Sequence, residues 1–94
     1  MDHEEHTREL AYKFLEAIPH EKYFGLKELK EFIWKNSKGF TFSEADFYDT
    51  VAYLLNKGEL KPTVIQPHYH AIIGGEYRQI LLSQVIDEVV RPRY

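Results

Sequence analysis

Apolar positions recur every three or four residues over two early stretches of the chain, the spacing that turns one face of a helix towards a core. Leu10, Ala11, Phe14, Leu15 and Ile18 predict a first helix over residues 4–18, which Pro19 stops. Leu26, Leu29 and Ile33, with Phe32 beside them, predict a second helix over residues 26–36, with Lys27, Lys30 and Glu31 towards solvent. Ser37-Lys38-Gly39 then reads as a C-terminal stop, because Gly39 suits a left-handed backbone position. Phe40-Thr41-Phe42 crosses to the next element.

Ser43 followed three residues later by Asp46 resembles a capping box, with Asp in place of the usual Glu or Gln. The third helix it opens carries a wide apolar face of Phe47, Tyr48, Val51, Ala52, Leu54 and Leu55, runs to about Lys57 and ends at Gly58. Leu60 to Ile65 is rich in β-branched residues and contains Pro62, which suits an edge strand. Two continuations stay open. Either Gln66-Pro67-His68 turns the chain and Tyr69 to Ile73 returns, or Gly74-Gly75 is a tight turn and Glu76 to Leu82 returns. Ile80, Leu81, Val85, Ile86 and Val89 have helical spacing and predict a terminal helix over residues 76–90, its start lying between Glu76 and Ser83. That stripe exceeds what a small monomer core can bury, so it is the expected surface of a homodimer.

Ninety-four residues with 44% hydrophobic content suit one domain over residues 1–94, with 1–5 frayed. The fold class that follows is α+β, mostly α. Without cysteine the chain has neither disulfides nor thiolate zinc ligands, which fits a reducing compartment. No apolar run approaches the roughly 18 residues of a membrane span, so the expectation is a soluble, cytoplasmic protein without membrane contact.

The formal charge of −3 is unevenly spread. Residues 1–21 are acidic, whereas Lys22, Lys27, Lys30, Lys35 and Lys38 face only Glu28 and Glu31 in the next segment. Glu44, Asp46, Asp49 and Glu59 then outweigh Lys57, and Lys61, Arg78, Arg91 and Arg93 leave the remainder slightly positive. Glu44, Asp46 and Asp49 open the third helix. They admit two readings: stabilisation of the positive end of the helix dipole, worth roughly 0.3–1 kcal/mol each when exposed, or a dedicated acidic binding face.

Tyr23-Phe24-Gly25-Leu26-Lys27, Phe47-Tyr48-Asp49-Thr50-Val51 and Leu54-Leu55-Asn56-Lys57-Gly58-Glu59-Leu60-Lys61 together resemble the winged helix-turn-helix of PadR-type regulators and of the replication terminator proteins of bacilli. The resemblance covers about residues 23–65. It implies a small β-hairpin wing, a third helix that enters the major groove of double-stranded DNA, and dimers formed through terminal helices. By position it sets Thr41, Ser43, Glu44, Asp46, Asp49, Thr50 and Tyr53 at or near the groove. The acids depart from the pattern, since phosphate contact supplies much of the affinity of a DNA binder. Lys27, Lys30, Lys35 and Lys38 offset them from the neighbouring helix and turn, and Lys61, His68, His70 and Arg78 are candidate wing contacts.

The first expected function is therefore DNA binding, as a transcription regulator or accessory factor. The rival is a protein-binding winged helix that docks a basic partner on Glu44, Asp46, Asp49 and Tyr53, flanked by Trp34 and Tyr69. The dimer surface is expected on Ile80, Leu81, Val85, Ile86 and Val89. His68-x-His70 points two rings to one side of a strand, and His3 with His6 shares a helix face. Neither pattern has the spacing of a HExxH or similar metal motif, so surface histidines are expected, with no metal and no cofactor. No Walker loop, GxGxxG, GxSxG or cysteine nucleophile occurs, and catalysis is not expected.

Overall fold

The first helix, α1 (His3–Ala17), forms where the three- and four-residue spacing predicts it, and buries Leu10, Ala11 and Phe14. The computed structural model describes residues 3–37, 39–63, 86 and 88–93. After α1 come β1 (Tyr23–Gly25), α2 (Leu26–Asn36), α3 (Glu44–Lys57), β2 (Lys61–Pro62) and β3 (Glu88–Val90). The described part is mostly helical, with one small antiparallel sheet. No helix among the described residues is long and apolar enough to cross a membrane.

Packing follows the apolar faces. α1 lies chiefly against α3, and Phe14 reaches between them to meet the rings of Phe40, Phe42 and Phe47 at 6.3, 5.1 and 6.1 Å. Leu29 and Ile33 of α2, Val51 and Leu54 of α3, and Leu60 complete a core from which water is excluded. Helix α1 begins at His3, so residues 3–5, expected to fray, belong to it.

The sheet has the order β1-β3-β2, with both pairings antiparallel. Phe24 stands opposite Val89, and both are buried. On the other side Pro62 also stands opposite Val89, on an edge strand where its missing N–H is tolerated. Thr63 extends this edge by donating its amide to the Glu88 carbonyl and its hydroxyl to Glu88 Oε1, at 3.0 and 3.1 Å.

The end of the predicted terminal helix is corrected here. Residues 88–90 are extended, because β1 and β2 both take their ladder partner from them. Ile86 and Val89 are fully buried in the monomer core, so neither belongs to an exposed dimer stripe. Their spacing from Val85 mimics a helix, but Val89-Val90 is also a β-branched pair suited to a sheet. Ile80, Leu81 and Val85, with both expected return strands, lie outside the described residues. β1 was not anticipated, and its three residues are too few to show an alternation.

Arg91, just after β3, closes the other end of the molecule. Its Nη1 donates to the carbonyls of Leu15 and Ile18, at 2.5 and 2.8 Å, where α1 has run out of partners of its own. A cation there also meets the negative end of the helix dipole. The Arg91 carbonyl accepts from the amide of Glu21, a residue held at φ 63°, and His20 Nδ1 lies 3.1 Å from the Pro92 carbonyl. The buried Nε of Arg91 has no partner, which subtracts from the gain of its other two bonds. Arg91→Ala is accordingly expected to lower the unfolding free energy by about 1–2 kcal/mol in urea titration, with Arg91→Lys intermediate. Val89→Asp is expected to abolish cooperative unfolding altogether, whereas a residue of a mere dimer surface would leave a folded monomer.

Candidate functional site

Two helices joined by a short turn form the part of the chain that the sequence marks for binding. Helix α2 starts at Gly25, whose amide donates to Glu28 Oε1 at 3.2 Å. At its other end Asn36 Nδ2 donates to the Phe32 carbonyl and Ser37 Oγ to the Trp34 carbonyl. Gly39, at φ 85°, reverses the chain as its residue type predicts. The turn is then pinned by aromatic contact. Trp34 stacks on Phe42 at 5.5 Å and 18°, and Phe42 passes the contact on to Phe14, Phe40 and Phe47.

The predicted capping box opens α3. Ser43 Oγ accepts from the Asp46 amide at 3.0 Å, and Asp46 Oδ2 accepts from the Ser43 amide at 3.1 Å. Gly58, at φ 80°, closes the helix with its amide on the Leu55 carbonyl. Between these caps the helix buries Phe47, Tyr48, Thr50, Val51, Ala52, Leu54 and Leu55. The side left outward runs along Ala45, Asp49, Tyr53 and Asn56.

Each acid of α3 has a partner within the fold. Glu44 lies 3.3 Å from Lys30 of α2, Asp46 lies 3.5 Å from His6, and Asp49 lies 3.3 Å from His3, both of α1. Partial burial pushes the Asp46 carboxyl up, but the Ser43 amide, the Ser43 hydroxyl and His6 outweigh it, and its pKa falls below the usual 3.8. The dipole reading of the acids thus has local chemistry behind it. His3 and His6 are the partners that sequence reasoning missed; their common helix face was the available signal.

No family model, curated protein or solved structure matches this chain.

The cations are dispersed. Lys30 points inward, its side chain largely covered, with Nζ over the rings of Trp34 and Tyr48 as well as beside Glu44. Lys22 sits over Phe24 and Phe32, Lys13 over Phe40, and Lys57 over Tyr53, at 5.1–5.6 Å from the ring centres. Lys27, Lys35 and Lys61 are exposed, as is Thr41. Lys27 and Lys35 share the outer side of α2 with Glu28 and Glu31, so that face alternates in charge.

Thr50 is a correction. It is fully buried and its hydroxyl donates to the Asp46 carbonyl at 2.6 Å, so it faces the core and not a groove. Ser43 is exposed, although its hydroxyl is occupied by the cap, and Tyr53 is half-buried. Lys38, His68, His70 and Arg78, and Tyr69 of the rival reading, lie outside the described residues. Among the described residues, no group of three or more His, Asp or Glu side chains is arranged to hold a metal ion.

Ser43→Ala is expected to cost about 1 kcal/mol in denaturant, the usual value of a lost cap. Because the folded state lowers the Asp46 pKa, its contribution is present above pH 3.8 and is lost as pH falls through the lowered value. Asp46→Asn is expected to flatten the acid limb of a stability–pH curve below that point.

Proposed function

We propose that this chain is a winged-helix DNA-binding protein, a transcription regulator or accessory factor acting on double-stranded DNA. The observation that carries the reading is the succession of α2, a link over residues 37–43 and α3, followed by the antiparallel pair β2 and β3 as the arms of a wing. In this arrangement α3 is the helix offered to the major groove, with Ala45, Asp49, Tyr53 and Asn56 on its outward side.

Lys30 beside Glu44 lessens the electrostatic conflict with phosphate, and the imidazoles beside Asp46 and Asp49 add to this only when protonated. The same pairing weighs against the rival reading, in which those acids dock a basic protein. Lys27, Lys35 and Lys61, with Thr41, are the exposed side chains that the reading assigns to phosphate, joined by Lys38, His68, His70 and Arg78. Lys30 is assigned to holding Glu44, and Thr50 to the core. The protein acts by binding, with no cofactor.

Affinity for random-sequence duplex, followed by fluorescence anisotropy, is expected to fall steeply with salt. Each of Lys27→Gln, Lys35→Gln and Lys61→Gln is expected to reduce the slope of log K against log salt by about 0.9, the value for one lost phosphate contact. Absence of duplex binding at low salt would reject the proposal.

A further inference from the structure

Of the three acids in the first turns of α3, Glu44 has a permanent cation beside it, Lys30 of α2 at 3.3 Å. Asp49 and Asp46 face α1 instead, where their described partners are imidazoles: His3 Nε2 lies 3.3 Å from Asp49 Oδ2, and His6 Nε2 lies 3.5 Å from Asp46 Oδ2. The histidines are three residues apart in α1 and the acids three apart in α3, so the two pairs form consecutive rungs between the helices. Asp49 is on the outward side of α3, and the His3 side chain is 70% exposed, so the outer rung is open to solvent and to an approaching anion.

The other described charged side chains around the rungs are Glu4 and Glu5, between the two histidines in sequence, Glu9 one turn after His6, Glu44, and Lys30 from α2. His3, Glu4 and Asp49, with Thr7 and Tyr53, line a groove of about 170 Å³. Among these side-chain types, imidazole alone ordinarily changes charge between pH 5 and 8. Both histidines sit in the first turns of α1, where the positive end of the helix dipole disfavours a cation. What favours a proton there is negative charge from across the interface. A phosphate drawn up to α3 adds such charge, and by linkage the proton strengthens the hold on phosphate by the same factor.

We propose that His3 and His6 are a proton switch on DNA affinity: protonated, they cancel Asp49 and Asp46 and admit phosphate to the face of α3; neutral, they leave those acids to repel it. This regulation rests on the DNA-binding reading of α3 and adds a condition to it, since the helix is electrostatically open at mildly acidic pH and closed at alkaline pH.

Fluorescence anisotropy with a random-sequence duplex in low salt, at about pH 5.5 and about pH 8, tests it. The unmodified chain is expected to bind about tenfold more tightly at the lower pH, an ordinary size for coupling between two ligands. Because the chain has three further histidines, His20, His68 and His70, the decisive comparison is between variants. His3→Gln/His6→Gln is expected to match the unmodified chain at the higher pH, where glutamine and neutral imidazole are alike, and to bind about tenfold more weakly at the lower. His3→Lys/His6→Lys, charged at both, is expected to bind about tenfold more tightly than the unmodified chain at the higher pH and no more tightly at the lower. Thermal unfolding at both pH values checks that each variant is folded. A glutamine variant that keeps the full pH dependence, or that weakens binding equally at both pH values, overturns the switch and leaves DNA binding in place, as does a lysine variant no tighter than the unmodified chain at the higher pH. Absence of duplex binding at both pH values rejects the DNA-binding reading, and the switch with it.

Discussion

Within the described residues, neither β1 nor β2 has a ladder partner except Glu88–Val90, so the sheet exists only when the end of the chain has returned between them. Val89 lies opposite Phe24 on one side and Pro62 on the other, and Ile86 fills the core just before it. Arg91 then takes a carbonyl from the last turn of α1, that of Leu15, and the carbonyl of Ile18 just beyond it, across separations of 76 and 73 residues. A few terminal residues thus join the first helix to both edges of the sheet. Closing such long loops costs entropy that grows only slowly with length, but it delays the contacts that reward it. The helices can form from local signals; the sheet cannot.

The third helix shows how the same fold settles a local electrostatic problem. Three carboxylates in its first turns are favourable for the helix dipole but add negative charge to the surface. Asp46 is spent on the Ser43 cap, and His6 lies beside it. Glu44 and Asp49 are met by Lys30 and His3 from two different helices. Exposed pairs of this kind contribute little to stability, with a median near 0–1 kcal/mol. The larger effect of the Lys30–Glu44 pair is on the field outside, because an acid beside a full positive charge repels an approaching anion less than a lone one does, whereas a histidine has that effect only when protonated.

Much of this was legible in the sequence wherever the signal is local. The bounds of α2, the Ser43–Asp46 box, the stop at Gly58 and the left-handed Gly39 follow from side-chain chemistry at fixed offsets, and the structure has all of them. The core places of Phe14 and Phe47 follow from helical spacing, whereas Phe42 packs against both from the link between α2 and α3. The strands were harder because β1, β2 and β3 are two or three residues long, shorter than the alternation that reveals a strand. Thr50 was misplaced because a position flanking an apolar face can turn either way, and here its hydroxyl satisfies the Asp46 carbonyl inside the fold. The partners of the acids were hidden for a related reason: spacing shows that His3 and His6 share a face, but not which helix that face meets.

On the outer side of α2, Lys27 and Lys35 are interleaved with Glu28 and Glu31, so that face grips phosphate weakly. Counterion release scales with the number of phosphates contacted, and a short list of contacts gives both low affinity and a shallow salt dependence.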